Sequence, residues 1–403
     1  MKSLKELLII GPGPSSSHTI GPHRICLSFL KKLPSTDDID RFEITLYGSL
    51  ALTGKGHSTD SIIKEVFSEY PCQVIFNTTE THLKHPNTMQ CVCIYRNGKI
   101  FKKRYLSIGG GAFQEEDGVY DPKEVYPFNT FGELRKYMSK RRMTDMYEVI
   151  EKLEDKDIFE YGDNLMRKSF MTIESSLKKT GYLPGPLHLN DVSKEIYKRA
   201  LACPSCAEKR ILLLTAYAYA TSEANARGEM VVTNPTCGSS GVVPAVLYYE
   251  FRVHHYAMKR LVKSYLVGAL VCNIIKQNAS LSGALLGCQA EIGSAAAFAA
   301  ASLSYLHNLS VHQIEYASEV AMEHFLGLTC DPVDGYVQIP CIERNGMAAI
   351  HAYAAFLFAK DISPYRVNRV SFDNVIKAMN MTGKEIPSDL KETSLGGLAK
   401  VIS

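Results

Sequence analysis

The sequence predicts an α+β protein, with an N-terminal α/β sandwich-like domain followed by a mainly α-helical domain. Three observations carry this. Short strand-like runs alternate with glycine-rich turns over roughly the first 130 residues, including the hairpin signal Asn97-Gly98. Beyond the Gly/Pro break Gly181-Tyr-Leu-Pro-Gly-Pro186, long apolar segments of helical length take over. Between them lies a charged stretch with helical spacing. The expected organisation is residues 1–130 as the α/β domain, 131–180 as a helical linker and 181–403 as the α-helical domain.

In chain order, Ile9 to Thr19 reads as a loop, and Gly21-Pro22 opens a helix through Leu30, with proline near its first turn. Phe42–Leu46 alternates like a strand. The turn Thr53-Gly-Lys-Gly-His-Ser-Thr-Asp60 follows it, then a helix through Phe67. Gln73–Phe76 reads as a strand, and Gln90–Tyr95 with Lys99–Ile108 as a hairpin. Gly109-Gly-Gly111 and the polar stretch to Pro127 close the domain. Tyr147–Leu153 and Asp163–Leu177 have the spacing of linker helices. Ile211–Ala226, Val243–Phe251, Tyr256–Ile275, Ala284–Leu306, Val311–Leu326 and Asn345–Phe358 have the length and apolar content of packed helices. The alanine-rich Ala295–Ala301 suits close helix packing, and no fixed-period repeat is visible.

Composition excludes several classes. At 403 residues, 46% hydrophobic and 22% charged, the chain can bury more than one core. A net charge of +3, with only short basic runs such as Ser139-Lys-Arg-Arg142, offers no face for nucleic acid. No signal-peptide core opens the chain. The most apolar stretch, near Ala290–Leu306, carries Glu291, so no membrane span is expected. A cytoplasmic protein is the expectation. Eleven cysteines, an odd number in a long chain, argue against a disulfide framework. Cys26, Cys72, Cys91, Cys93 and Cys272 sit in apolar patterns as core residues, and Cys203-Pro-Ser-Cys206 has ligand spacing without a second pair.

Four constellations can carry chemistry. Cys288, Cys330 and Cys341 each lie in a Gly/Pro-rich setting, forty-two and eleven positions apart. Three thiolates can hold an iron–sulfur cube and leave one iron open, and Cys341 stands where a helix begins, which favours the thiolate. Their spacing alone equally fits three unrelated buried cysteines. Second, Gly13-Pro-Ser-Ser-Ser-His-Thr-Ile-Gly-Pro22 gathers Ser15, Ser16, Ser17, His18 and Thr19 before a helix, either as an anion site or as an N-cap loop. Third, His57 lies between Lys55 and Asp60 in a glycine-rich turn. It is either a general base or an ordinary turn residue, and the spacing is not that of a phosphate-binding loop. Fourth, Val232-Thr-Asn-Pro-Thr-Cys-Gly-Ser-Ser-Gly241 joins two helices, preceded by Glu223, Asn225 and Arg227. Cys237 there is a fourth ligand, a neighbour of the ligands, or packing.

Taken together these residues resemble the iron–sulfur-dependent L-serine dehydratases (L-serine ammonia-lyases) of bacteria, over nearly the whole chain. The motifs at 13–19, 54–60 and Ser107-Ile-Gly-Gly-Gly111 look like that family's β part. Leu183-Pro-Gly185, the Asn234-Pro-Thr motif through Gly238, Gly287-Cys-Gln-Ala-Glu291, Gly327-Leu-Thr-Cys-Asp-Pro-Val333 and Gln338-Ile-Pro-Cys-Ile-Glu-Arg-Asn345 look like its α part. The two are fused as in a single-chain form. The resemblance implies a [4Fe–4S] cluster on Cys288, Cys330 and Cys341 with one iron free for substrate. It further implies an L-serine pocket involving Ser15, Ser16, Ser17, His18 and Thr19, with His57 as a proton-transfer residue.

The expected chemistry is loss of water from L-serine, the open iron acting as Lewis acid on the β-hydroxyl. The substrate carboxylate would meet iron or the Ser/His/Thr loop. His57, or His18 in second place, takes the α-proton, with Lys55 and Asp60 setting its charge. Cys237 departs from the asparagine usual at its position, and Lys391-Glu-Thr-Ser-Leu-Gly-Gly-Leu398 leads to a tail, Lys400-Val-Ile-Ser403, without the family's terminal cysteine. The carboxylate of Ser403 or water is the expected substitute there. Alternatives are an L-cysteine desulfidase or L-threonine dehydratase on the same cluster, and an iron–sulfur redox or sensor protein with Cys237 as fourth ligand. A pyridoxal-phosphate enzyme using Lys55 has no further support. A role in amino-acid catabolism and a homo-oligomer, a dimer, complete the expectation.

Overall fold

The computed structural model describes residues 1–80, 82–118, 123–366 and 368–402. The chain enters through strand β1 (Ile10–Pro12), a π-helical turn at Ser16–Ile20 and helix α1 (Gly21–Lys31). The loop expected at 9–19 is therefore largely structured, because Ser15 caps the π turn by accepting from the His18 N–H. Strand β2 (Ile39–Tyr47), the short helix α2 (Ser49–Thr53), helix α3 (Thr59–Val66) and strand β3 (Cys72–Asn77) follow. The hairpin β4 (Thr88–Tyr95) and β5 (Ile100–Gly109) comes next, then β6 (Ala112–Glu115), which lies in the polar stretch expected to close the domain. The sheet order is β3-β2-β4-β5-β6, with β2 and β3 parallel and the other neighbours antiparallel. Ile25 and Phe29 of α1, with Ile63 of α3, cover one face against Phe42, Ile44, Cys91 and Tyr105.

Helices α4 (Phe131–Lys140), α5 (Met146–Leu153) and α6 (Ile158–Ser176) occupy the stretch expected as a linker. Their apolar faces, including Phe131, Leu134, Ile150, Phe170 and Ile173, belong to the same core as the later helices, as do Met1, Leu4, Leu7 and Leu8. These segments are packed, not spanning. Then come α7 (Ser193–Ala202), α8 (Cys206–Ala226), strand β7 (Met230–Val232), α9 (Val242–Val253) and α10 (Met258–Asn278). After them follow α11 (Gly283–Leu286), α12 (Ile292–Leu306), α13 (Val311–Glu323), α14 (Cys341–Asp361), α15 (Phe372–Glu385) and α16 (Gly397–Ile402). β1 pairs antiparallel with β7, so the N-terminal segment is stitched to the helical part.

Helix α12 is buried on every side except at Tyr305, as its all-round apolar sequence requires. Its alanines admit close neighbours. At Gly268 of α10 an added Cβ would collide with Ser302 Oγ and lie 2.6 Å from the Phe298 carbonyl oxygen. The helix expected over 284–306 is interrupted at Gly287, whose φ of +75 turns the chain away and whose Cβ would strike the Leu328 carbonyl at 2.6 Å. That break places Cys288 in a single 3-10 turn at the head of α12.

Candidate active site

The two glycine-rich motifs of the N-terminal domain are tied to each other by their threonines. Thr19 Oγ1 donates to the His57 carbonyl at 2.8 Å, and Thr59 Oγ1 donates to the His18 carbonyl at 2.6 Å. The rings of His18 and His57 consequently stack, 4.5 Å apart. Both are buried. His57 Nδ1 lies 2.9 Å from the Thr53 carbonyl oxygen. A carbonyl only accepts, so the ring proton sits on Nδ1 and Nε2 keeps its lone pair. Burial, and next the charge of His18, hold His57 down to about 4.

His18 is gripped from both ends. Its Nδ1 is 3.2 Å from Glu392 Oε1, and Ser17 Oγ donates to that same oxygen at 3.0 Å. Its Nε2 is 3.1 Å from Ser49 Oγ, whose own proton goes to the Glu392 carbonyl at 2.7 Å. Both ring nitrogens thus face oxygens that anchor the ring. Burial would raise Glu392, but the His18 charge and hydrogen bond, then His57 and Ser17, hold its carboxyl down to about 2. Glu392 was not singled out from sequence. The motif Lys391-Glu-Thr-Ser394 was legible, but nothing in it says that the tail returns to a serine at position 17.

The tail returns because residues 390–392 run beside Cys330. The Cys330 N–H donates to the Leu390 carbonyl at 2.8 Å, and the Glu392 N–H to the Cys330 carbonyl at 2.6 Å. Asp331 holds the next turn, accepting from the Leu398 N–H at 2.7 Å and from Thr329 Oγ1 at 2.8 Å. Glu392 therefore spans two sites. Its Oε1 faces His18. Its Oε2 lies 3.6 Å from the point where a Gly283 Cβ would sit, a point also 3.2 Å from Cys330 Sγ and 3.6 Å from Glu291 Oε2. Any side chain at 283 would enter the space these groups share.

The ligand atoms of Cys288, Glu291 and Cys330 all lie within 4.8 Å of one another. Cys341, at the first position of α14, is near enough for its thiol to feel Cys288, Arg344, Glu291 and Asp331. Cys288 is drawn down to about 7 by its hydrogen bond with the Cys330 thiol, burial opposing and the Arg344 charge helping. Cys330 is raised by that same hydrogen bond and by burial, and Glu291 by burial and the nearby Glu392. Two buried thiols and a half-buried third with a guanidinium beside them, two of the three at helix starts, and a glycine where a side chain would intrude, fit an iron–sulfur cube.

The remaining expected residues divide. Ser15, Ser16, Ser17 and Thr19 are all buried. Their groups knit the loop together, with Ser16 Oγ accepting from the Cys237 N–H at 2.6 Å. Cys237 packs with Ile20, Ala224 and Val231, and burial pushes its thiol up to about 12. Lys55 and Asp60 do not set the charge of His57. Lys55 is exposed, with its ammonium over the Phe76 ring at 5.7 Å, and Asp60 lies in the first turn of α3. The charges that act on His57 are instead those of His18 and Glu392. Ser403 lies outside the described residues.

The family model described as the serine dehydratase beta chain matches residues 3–65, and that described as the alpha chain matches residues 129–399. The chain belongs to the serine dehydratase family. It is 35% identical to the L-serine dehydratase of Helicobacter pylori over 99% of each chain. It is 33% identical to L-serine dehydratase 1 of Escherichia coli over 99% of each, and 33% identical to the L-serine dehydratase of Streptomyces coelicolor over 98% of each. It is thus an enzyme of a family whose alpha and beta parts are here one polypeptide. Among the described residues no helix is long and apolar enough to cross a membrane.

Proposed function

We propose that the enzyme is an L-serine ammonia-lyase, converting L-serine to pyruvate and ammonia, with a [4Fe–4S] cluster held by Cys288, Cys330 and Cys341. The observation that carries this reading is Glu392, which joins a stacked histidine pair to the group Cys288, Glu291 and Cys330 in one buried space. When bound, the cluster supplies an open iron, a Lewis acid that makes hydroxide a better leaving group. His57 Nε2, neutral and carrying its lone pair, takes the α-proton. The electrons of that C–H bond form the Cα=Cβ double bond as the β-hydroxyl departs. Burial, with His18 beside it, keeps the His57 ring unprotonated and ready to accept, while Glu392 and Ser49 hold the His18 ring in place. Aminoacrylate then tautomerises and hydrolyses to pyruvate and ammonia without further help.

The buried site excludes bulk water from the carbanion-like transition state. The same reading carries a cytoplasmic homodimer acting on a small molecule, with no nucleic acid or membrane partner. The test is anaerobic assay of pyruvate from L-serine, alongside pyruvate from L-cysteine with sulfide and 2-oxobutyrate from L-threonine. Serine should be the preferred substrate by kcat/KM. A protein that bears iron yet releases no oxo acid from any of the three would overturn the proposal.

A further inference from the structure

The turn before β4 holds buried polar atoms that the protein itself does not use. Among the described residues His85 Nε2 and both side-chain atoms of Asn87 lack a hydrogen-bond partner, as does Glu392 Oε2. His85 is 9% exposed and Asn87 0%. Interiors rarely leave such groups bare, and a cluster of them at a site calls for a ligand.

Their position is fixed by the backbone. The Ser49 N–H donates to the Pro86 carbonyl at 2.8 Å and the Ser107 N–H to the Asn87 carbonyl at 2.9 Å. Ser49 is the residue that contacts His18 and the Glu392 carbonyl, and Ser107 Oγ donates to the Ser17 carbonyl at 2.7 Å. The turn is thus clamped twice to the group that carries His18 and Glu392. The Asn87 N–H donates to His85 Nδ1 at 3.0 Å. Nδ1 is therefore the acceptor, and the ring proton stands on the free Nε2. Burial, opposed by Glu392 and helped by His18, holds His85 down to about 4, so the ring is a neutral donor.

Within the Ser/His/Thr loop, Ser17 and Thr19 spend their hydroxyl protons on Glu392 and the His57 carbonyl, while Ser15 and Ser16 accept backbone N–H groups. His85 and Asn87 bring side-chain N–H donors that have no partner among the described residues. We propose that His85 Nε2–H and the Asn87 amide receive the α-carboxylate of the amino-acid substrate, with Glu392 Oε2 facing its ammonium. The inference rests on the reading of this site as one for an amino acid.

The test uses the anaerobically purified holoenzyme and the variants Asn87→Leu and His85→Leu. KM for L-serine is measured together with calorimetric binding of L-alanine, which has no leaving group, and of L-alaninamide, which has no carboxylate. Each variant should weaken L-alanine binding and raise the L-serine KM about 10- to 100-fold, the range of a hydrogen bond to a charged group. L-Alaninamide binding should move less than about 3-fold and kcat little. His85→Gln, which keeps a side-chain N–H donor, should recover part of the loss. The thermal midpoint should hold or rise, because an unpartnered polar group has been replaced by an apolar one. Where Asn87→Leu does not fold, Asn87→Ser serves. An unchanged L-alanine affinity, equal losses for acid and amide, or a fall in kcat alone would overturn the assignment. L-Alanine binding that depends on Asn87 in an enzyme inert to L-serine would sink the lyase reading and leave this one standing.

Discussion

The histidine side and the cysteine side of the site are built on opposite principles. Around His18 and His57 the protein's own groups answer one another: carboxylate to imidazole, hydroxyl to carbonyl, threonine to backbone. Around Cys288 the protein gathers Cys330, Cys341, Glu291 and Glu392 in a buried space with Arg344 as the cation beside the thiols. Buried acids so close cannot all ionise without further positive charge. The first region is preorganised by the fold alone, and the second is a donor set suited to a bound cationic group. Catalysis of an elimination needs both, one to take a proton and one to accept a leaving group.

Breaking the cysteine side should have the largest effect. Cys330→Ala removes a thiol from the centre of the donor set. The anaerobically purified variant should lose its visible iron–sulfur absorbance and its activity together, by about 1,000-fold or more if metal catalysis is lost. His57→Ala, on the other side, should keep the absorbance while kcat falls by about 100- to 10,000-fold, the usual share of a general base. A variant that keeps full turnover would remove His57 from the mechanism.

The two sides should also separate by pH. The base form of His57 is the neutral ring, populated above its pKa, and burial with His18 holds that pKa to about 4. From neutral pH downward kcat/KM should therefore stay flat through the region where an ordinary histidine titrates. It should fall only as pH approaches about 4, where the ring gains its proton. An acid limb near the usual histidine value would mean that the base is another group, or that His57 is not shielded.

Away from the site, Gly268→Ala tests the close approach of α10 to α12. Its Cβ meets backbone at 2.6 Å, so a loss of about 1–3 kcal/mol in denaturant unfolding is expected. The smallest effect is expected at Lys55. It reaches out over Phe76 and touches neither side of the site, so Lys55→Ala should alter kcat and KM by less than about 3-fold.

Much of this was legible in the sequence. Helix α1, strand β2 and helix α3 followed from alternation and glycine position, and the hairpin from Asn97-Gly98, whereas β1, the π-helical turn and α2 did not. The cysteines and the Ser/His/Thr loop announced themselves by composition. What the sequence hid was distance. Glu392 reaches Ser17 across 375 positions, a contact made only because the tail runs beside Cys330. The role given to Lys55 and Asp60 came from adjacency in the chain, and folding replaced those neighbours with His18 and Glu392. The uninterrupted helix over 284–306 was an error of apolar periodicity, which does not register that Gly287 must turn to clear Leu328. His85 and Asn87 lay in an ordinary-looking turn, and only their unpartnered burial distinguishes them.

The central claim is that the two sides face one substrate. Its most direct test is addition of L-serine to the anaerobically purified protein while the iron–sulfur spectrum is recorded. The account expects L-serine to perturb the cluster's absorption and paramagnetic spectra at concentrations that support pyruvate formation, in wild type and equally in the inactive His57→Ala variant. A cluster whose spectrum is unmoved by saturating L-serine in both proteins would contradict it.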